Sequence, residues 1–306
     1  MSTRRLMIGI LVVCNLGLYT CNYIKTKKER DTIQERKSMR LPDAPPKTLT
    51  MEEQCGARVK QLRGKLDGSF QFVVAPPFVV AGDMDHPQLE KHTLWSVVKP
   101  AKALWTSYFK RRPDQVITVL LFSGQKSYRK WASALFGHKD VSYFGYYTDE
   151  NRTLVMDINT GGGTLIHELT HALIVYDFPN VPQWFNEGLA SLHEGCRVGE
   201  KEIVGVLNWR LPILQKAIAS KKLRSIKELT LDEDFYGAHV DENYAQARYL
   251  MMYAQKKGVL ATLYRNMRDN GGKLSDYQVL TRVFGGKAEQ LESEFIEWAQ
   301  TLVLPR

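Results

Sequence analysis

The stretch GGGTLIHELTHALI, residues 161–174, carries two histidines four positions apart, His167 and His171, with Glu168 directly after the first. On a helix, side chains at i and i+4 lie one above the other on the same face, so both imidazoles can reach one metal ion. That is half of a zinc site. Glu168 can reach a water on such a metal without being a ligand, which is the arrangement of a metal-dependent hydrolase. The stretch also reads as a helix. Thr164 is a candidate N-cap after the glycine run, and Leu165, Leu169, Ala172 and Leu173 form an apolar stripe that would bury it. A His-Glu-x-x-His pattern arises by chance in on the order of one per cent of chains with this many histidines, so the residues that follow it carry weight.

Those residues are DFPNVP, 177–182, and WFNEGLAS, 184–191. Each proline disfavours helix at the residue before it, so 177–182 reads as a turn leading into a second helix that runs back beside the first. Together, GGGTLIHELTH and FPNVPQWFNEGLASLHE, 178–194, resemble the gluzincins, the thermolysin-like and aminopeptidase-like zinc peptidases. More closely they resemble a peptidase MA-like family of uncharacterised bacterial proteins. Gluzincins take their third ligand from a glutamate on the second helix. The resemblance therefore implies one zinc ion held by His167, His171 and Glu187, Glu168 as general base, and a peptide or protein substrate. Fifteen residues separate His171 from Glu187, a shorter spacing than in thermolysin or the aminopeptidases. Ser191 stands where the thermolysin pattern has an aspartate that orients a ligand histidine, and a serine hydroxyl could make a weaker bond of that kind. The strong motifs cover residues 141–195, and a weaker similarity of layout extends over residues 50–300.

Upstream, residues 70–75 and 78–81 look like strands, and the continuous apolar run 116–122 has the length of a central strand. Helices are expected over 51–66, over 88–109 with a bend at Pro100, and over 126–136, where Tyr128, Trp131 and Leu135 share one face. Residues 141–147 and 153–158 flank a polar turn and predict a hairpin leading directly to the zinc helix. In zinc peptidases of this class an edge strand commonly receives the substrate as an added strand. The resemblance thus implies a substrate cradle at Tyr143, Gly145, Tyr146 and Tyr147, while β-propensity alone would have these aromatics pack the sheet. Beyond Glu187 the chain reads as almost wholly helical, with helical spacing over 208–220, 241–257, 260–267, 275–284 and 288–302. The segment ENYAQ, 242–246, resembles the family's distal Tyr-Ala-Gln segment, which implies Tyr244 as the donor to the developing oxyanion, with Tyr249 and His239 as rivals. His193, six residues past Glu187, would point away from the ligand face and reads as structural.

The chain begins with Arg4 and Arg5 before an apolar run from 6 to 24. This is the layout of an export signal or a short membrane anchor. LYTC, 18–21, faintly resembles a lipoprotein cleavage site with Thr20 in place of the usual small residue. The expectation is an exported, membrane-anchored protein of a bacterial envelope. Of the net charge of +9, residues 1–40 hold nine Lys and Arg against three acids, which leaves 33 basic and 30 acidic residues for the rest. The excess sits beside the apolar run, where it can lean on anionic lipid, and a nucleic-acid surface is not supported. Four cysteines in 306 residues make no disulfide framework. Cys55 and Cys196 would either pair or remain thiols.

The layout is then a signal or anchor (1–24), a basic and proline-rich linker (25–50) and one domain (51–306), with sheet and zinc helices to 195 and a helical part after it. The fold class is α+β, a small mixed sheet with an edge hairpin and an active-site helix, followed by a helical C-terminal half, zincin-like by resemblance. Two other functions use the same residues: a tethered zinc-binding scaffold without activity, and an amide hydrolase acting on cell-wall or other non-protein bonds. Glu168 argues against the first, because a structural site needs no base beside the water.

Overall fold

The computed structural model describes residues 40–137, 145–148, 150–231 and 234–305. The apolar run 6–24, the basic segment behind it and Tyr143 lie outside the described residues. Among the described residues no helix is long and apolar enough to cross a membrane. The chain is mixed α and β, with one small mixed sheet and a C-terminal half that is helical apart from a short hairpin. It divides into two compact units, one running to Leu94 and resuming over Pro113–Glu168, the other formed by Trp95–Arg112 and the chain from Leu169 onward.

The first unit opens with α1 (Met51–Arg63), started by a capping box in which Thr50 and Glu53 satisfy each other's backbone N–H groups. Strands β1 (Gln71–Ala75) and β2 (Phe78–Gly82) follow, then α2 (His86–His92). The chain then lends a π-helical turn (Thr93–Val98) and α3 (Lys99–Ser107), largely to the other unit, before β3 (Ile117–Phe122), α4 (Gln125–Phe136), β4 (Gly145–Thr148) and β5 (Thr153–Asp157). The sheet order is β1-β2-β3-β5-β4, with β2, β3 and β5 parallel and the two outer strands antiparallel. The apolar run at 117–122 is central because it is buried on both faces, the pattern of a parallel strand covered on each side. Ala81, Leu120 and Val155 lie opposite one another in register and pack with Leu62, Phe70, Trp131 and Leu135. Phe70 presents its edge to Phe122 at 6.0 Å and to Trp131 at 5.3 Å, so Trp131 is core.

The proline-rich entry is less of a linker than its composition suggests. Leu41 is buried, and its N–H donates to the Leu135 carbonyl at 2.9 Å. Arg58, fully buried in α1, donates to the carbonyls of Pro42 at 2.9 Å and Asn151 at 3.2 Å, which ties this entry to the turn between β4 and β5. Burial pulls the Arg58 guanidinium down to about 10.

Between α2 and α3 the chain stays helical, and the π turn, rather than a bend at the proline, precedes Pro100 in the first turn of α3, where its missing N–H is harmless. After a 3₁₀ turn (Ile158–Thr160), Gly161 adopts φ 98°, and α5 (Gly162–Asp177) begins at once. Thr164 therefore lies inside the first turn and is not the N-cap. The glycine reverses the chain three residues earlier than the apolar periodicity indicates.

The second unit continues with α6 (Gln183–Glu194), a hairpin of β6 (Cys196–Val198) and β7 (Ile203–Gly205), then α7 (Leu211–Ala219), α8 (Ile226–Leu231), α9 (Val240–Lys256), α10 (Leu260–Asp269), α11 (Asp276–Val283) and α12 (Ala288–Thr301). The hairpin interrupts the expected run of helices, and α8 adds a short helix to it. The C-terminal end of α5 is fixed by Asp177, a buried carboxylate. It accepts from the backbone N–H groups of Lys110 at 3.0 Å and Arg111 at 2.7 Å, from the Tyr264 hydroxyl at 3.0 Å and from Arg268 at 2.9 Å. Four donors around one carboxylate offset the cost of burying its charge.

Helices α6 and α9 approach closely at Gly188. A Cβ there would stand 2.9 Å from the Ala247 carbonyl oxygen, and backbone cannot turn aside as a flexible side chain can. Gly188→Ala gains roughly 1 kcal/mol of helix propensity but must push α9 away, at a cost of about 1–3 kcal/mol. Urea denaturation is expected to show a net loss of stability, and a more stable variant would refute this tight crossing.

Candidate metal centre

α5 is one unbroken helix, so His167 and His171 share a face as their spacing requires. α6 brings Glu187 to them. One ligand atom from each of His167, His171 and Glu187 lies within 4.8 Å of the others, close enough to surround a single ion. Among the described residues this is the one group of three or more His, Cys, Asp or Glu with such spacing. His167 and Glu187 are 3% and 4% exposed, which marks these polar groups as placed for a partner rather than for solvent.

The donor set suits zinc. Two imidazoles and a carboxylate, with no thiolate, form the three-ligand kind of site that leaves a coordination position open. The proton positions on His171 agree. Its Nδ1 lies 2.8 Å from Asn186 Oδ1, and an amide oxygen can only accept. Nδ1 therefore carries the hydrogen, and Nε2 presents its lone pair, 3.4 Å from Glu187 Oε2. The other carboxylate oxygen, Oε1, accepts from the Tyr236 hydroxyl at 2.6 Å.

Glu168 lies beside His167 on the same helix and is 6% exposed. Its negative charge adds to the burial that raises the Tyr128 phenol well above its ordinary range. Ser191 is fully buried, and its hydroxyl has no hydrogen-bond partner among the described residues. The weaker bond open to a serine at this position is not made, and it is Asn186, one residue before Glu187, that orients a histidine. A histidine that ligates through Nε2 needs an acceptor at Nδ1, which is the signal that could have singled out Asn186. Tyr236 gave no such signal, because it lies between helices in a stretch without periodicity.

Tyr244 is buried on α9, its ring 5.2 Å from Phe235 and 6.4 Å from Tyr236, with the Arg210 guanidinium 5.4 Å over its face. Of its rivals, Tyr249 is occupied structurally: its hydroxyl donates to the Asn208 carbonyl at 3.2 Å and accepts from the Asn208 N–H at 3.3 Å. His239 is exposed at the start of α9. His193 is fully buried, its ring 5.6 Å from Tyr108, in keeping with a structural role.

Gly145, Tyr146 and Tyr147 belong to β4, the edge strand. Tyr146 turns its ring into the core, 6.4 Å from Tyr128 and 6.3 Å from Phe136, while Tyr147 is half-buried. Gly145 is required sterically: at φ 151°, a Cβ would meet the Met156 side chain at 2.0 Å. Cys55 and Cys196 are both thiols, each raised by burial to about 11 and so unreactive. A cleft of about 640 Å³ around Asp177, Arg268 and Asp276 is lined by none of His167, His171 and Glu187, so donor geometry and not cavity size marks the candidate site.

No family model matches this chain, and no curated protein matches it in sequence.

A ligand that binds only the folded state stabilises it by mass action. Zinc at one hundred times its Kd is expected to add about 2.7 kcal/mol to the unfolding free energy. Thermal unfolding with and without zinc checks this, and His167→Ala, His171→Ala or Glu187→Ala should remove most of the increment.

Proposed function

We propose that this chain is a zinc-dependent hydrolase of the gluzincin type that cleaves peptide bonds, with a zincin-like arrangement of its sheet and metal helices. The observation that carries the reading is the convergence of His167, His171 and Glu187, with the buried carboxyl of Glu168 next to the first ligand. A purely structural zinc site is closed by four protein ligands, whereas three leave room for water. A zinc ion held by these residues supplies a Lewis acid and lowers the pKa of water to about 7.

The chain's own groups then have definite tasks. Glu168 accepts the proton of the attacking water and passes it to the amine as the peptide C–N bond breaks. Asn186 holds the His171 ring and its tautomer throughout. Tyr244 is our choice to donate a hydrogen bond to the carbonyl oxygen as negative charge gathers there. An extended peptide lying along β4 would pair with backbone and meet Tyr147, since Tyr146 is committed to the core. The apolar run at 6–24 and the basic residues around it support tethering at a bacterial membrane surface, with the domain facing envelope proteins or peptides.

Glu168→Gln keeps the shape and loses the base. It is expected to retain zinc and to cleave a peptide library roughly 10²- to 10⁴-fold more slowly than the wild type. Wild-type turnover by this variant, with contaminating protease excluded, would overturn the assignment.

A further inference from the structure

We infer that Tyr236 is a positioning residue that sets how Glu187 presents itself to the metal, an inference that rests on the ligand set proposed above. The two oxygens of Glu187 have different surroundings. Oε2 stands 3.4 Å from His171 Nε2, on the side where the ligand atoms converge. Oε1 accepts the Tyr236 hydroxyl at 2.6 Å, a short bond of the kind an ionised acceptor makes. A carboxylate with both oxygens available can chelate an ion through both. The Tyr236 bond takes one lone pair of Oε1 and fixes the rotation of the carboxylate, which favours ligation through Oε2 and a coordination position left open for water.

Tyr236 is itself held in place. Its ring lies 5.5 Å from Phe235 and 6.4 Å from Tyr244. The backbone before it is pinned by Asn243 of α9, whose amide donates to the Phe235 carbonyl at 2.9 Å and whose Oδ1 accepts from Arg224 at 3.2 Å. The hydroxyl is thus carried by a braced segment, and its bond to Glu187 is part of the fold before any ion arrives. Pre-positioning of this kind raises affinity by sparing the ligand its ordering cost.

The test uses the full chain, purified in detergent, freed of metal and titrated with zinc against a chromophoric chelator. Tyr236→Phe removes one hydroxyl and keeps the ring contacts, so the metal-free protein should stay folded, with its thermal midpoint lowered by only a few degrees for the lost bond to a buried carboxylate. Its zinc affinity should fall about 10- to 100-fold. In a Glu187→Ala background the same substitution should have no further effect, because the hydroxyl acts through that carboxylate. Wild-type affinity in Tyr236→Phe, beside a large loss in Glu187→Ala, would overturn this inference and leave the ligand set standing. Undiminished affinity in Glu187→Ala would instead overturn the ligand set and the inference with it. Cobalt loading of the wild type is a check that needs no variant: an intense visible absorption of four-coordinate cobalt is expected, and the weak spectrum of a higher-coordinate ion would contradict the role given to Tyr236.

Discussion

A carboxylate as buried as that of Glu187 cannot stay ionised in a protein interior without partners, because desolvating its charge costs several kcal/mol. Its surroundings answer that demand on one side only, where the Tyr236 hydroxyl donates to Oε1, while Oε2 faces imidazole nitrogens and an ion between them would complete its partners. This requirement organises the neighbouring chain. α6 must come close to α5 for the carboxylate to reach the histidines. The close crossing at Gly188 keeps α6 against α9, which in turn carries the residue that braces Tyr236.

The end of α5 shows the same physics without a metal. Asp177 is buried as deeply, but four protein donors satisfy it, from the chain after α3 and from α10. One buried carboxylate is thus closed by the protein. The other is only partly closed, and its remaining side faces two imidazoles. The contrast is between a buried acid that the protein saturates and one with room for a cation.

Much of this was legible in the chain because it depends on local periodicity. The spacing of His167 and His171 fixes their shared face, and the unbroken apolar run of β3 announces a strand covered on both sides. Pro179 and Pro182 mark the turn between the two ligand helices. What periodicity could not supply is anything that exists only after the chain has folded. Tyr236 lies in an irregular stretch, and its importance comes from a carboxylate 49 positions earlier in the chain. The β6–β7 strands, three residues each, are too short to show alternation, and the six residues of α8 are too few for a helical stripe. Thr164 is not the cap because the reversal at Gly161 starts the helix at Gly162, ahead of it. The prolines of residues 41–48 suggest a linker, although Leu41 is buried and Arg58 donates to the Pro42 carbonyl.

The central claim is that His167, His171 and Glu187 together hold zinc. Elemental mass spectrometry of the purified full chain, combined with X-ray absorption at the zinc edge, tests it most directly. The account predicts one zinc per chain in a sulfur-free shell of two imidazoles and light oxygen donors. A folded chain that contains no zinc and cannot be loaded with it, or a shell containing sulfur, would contradict it.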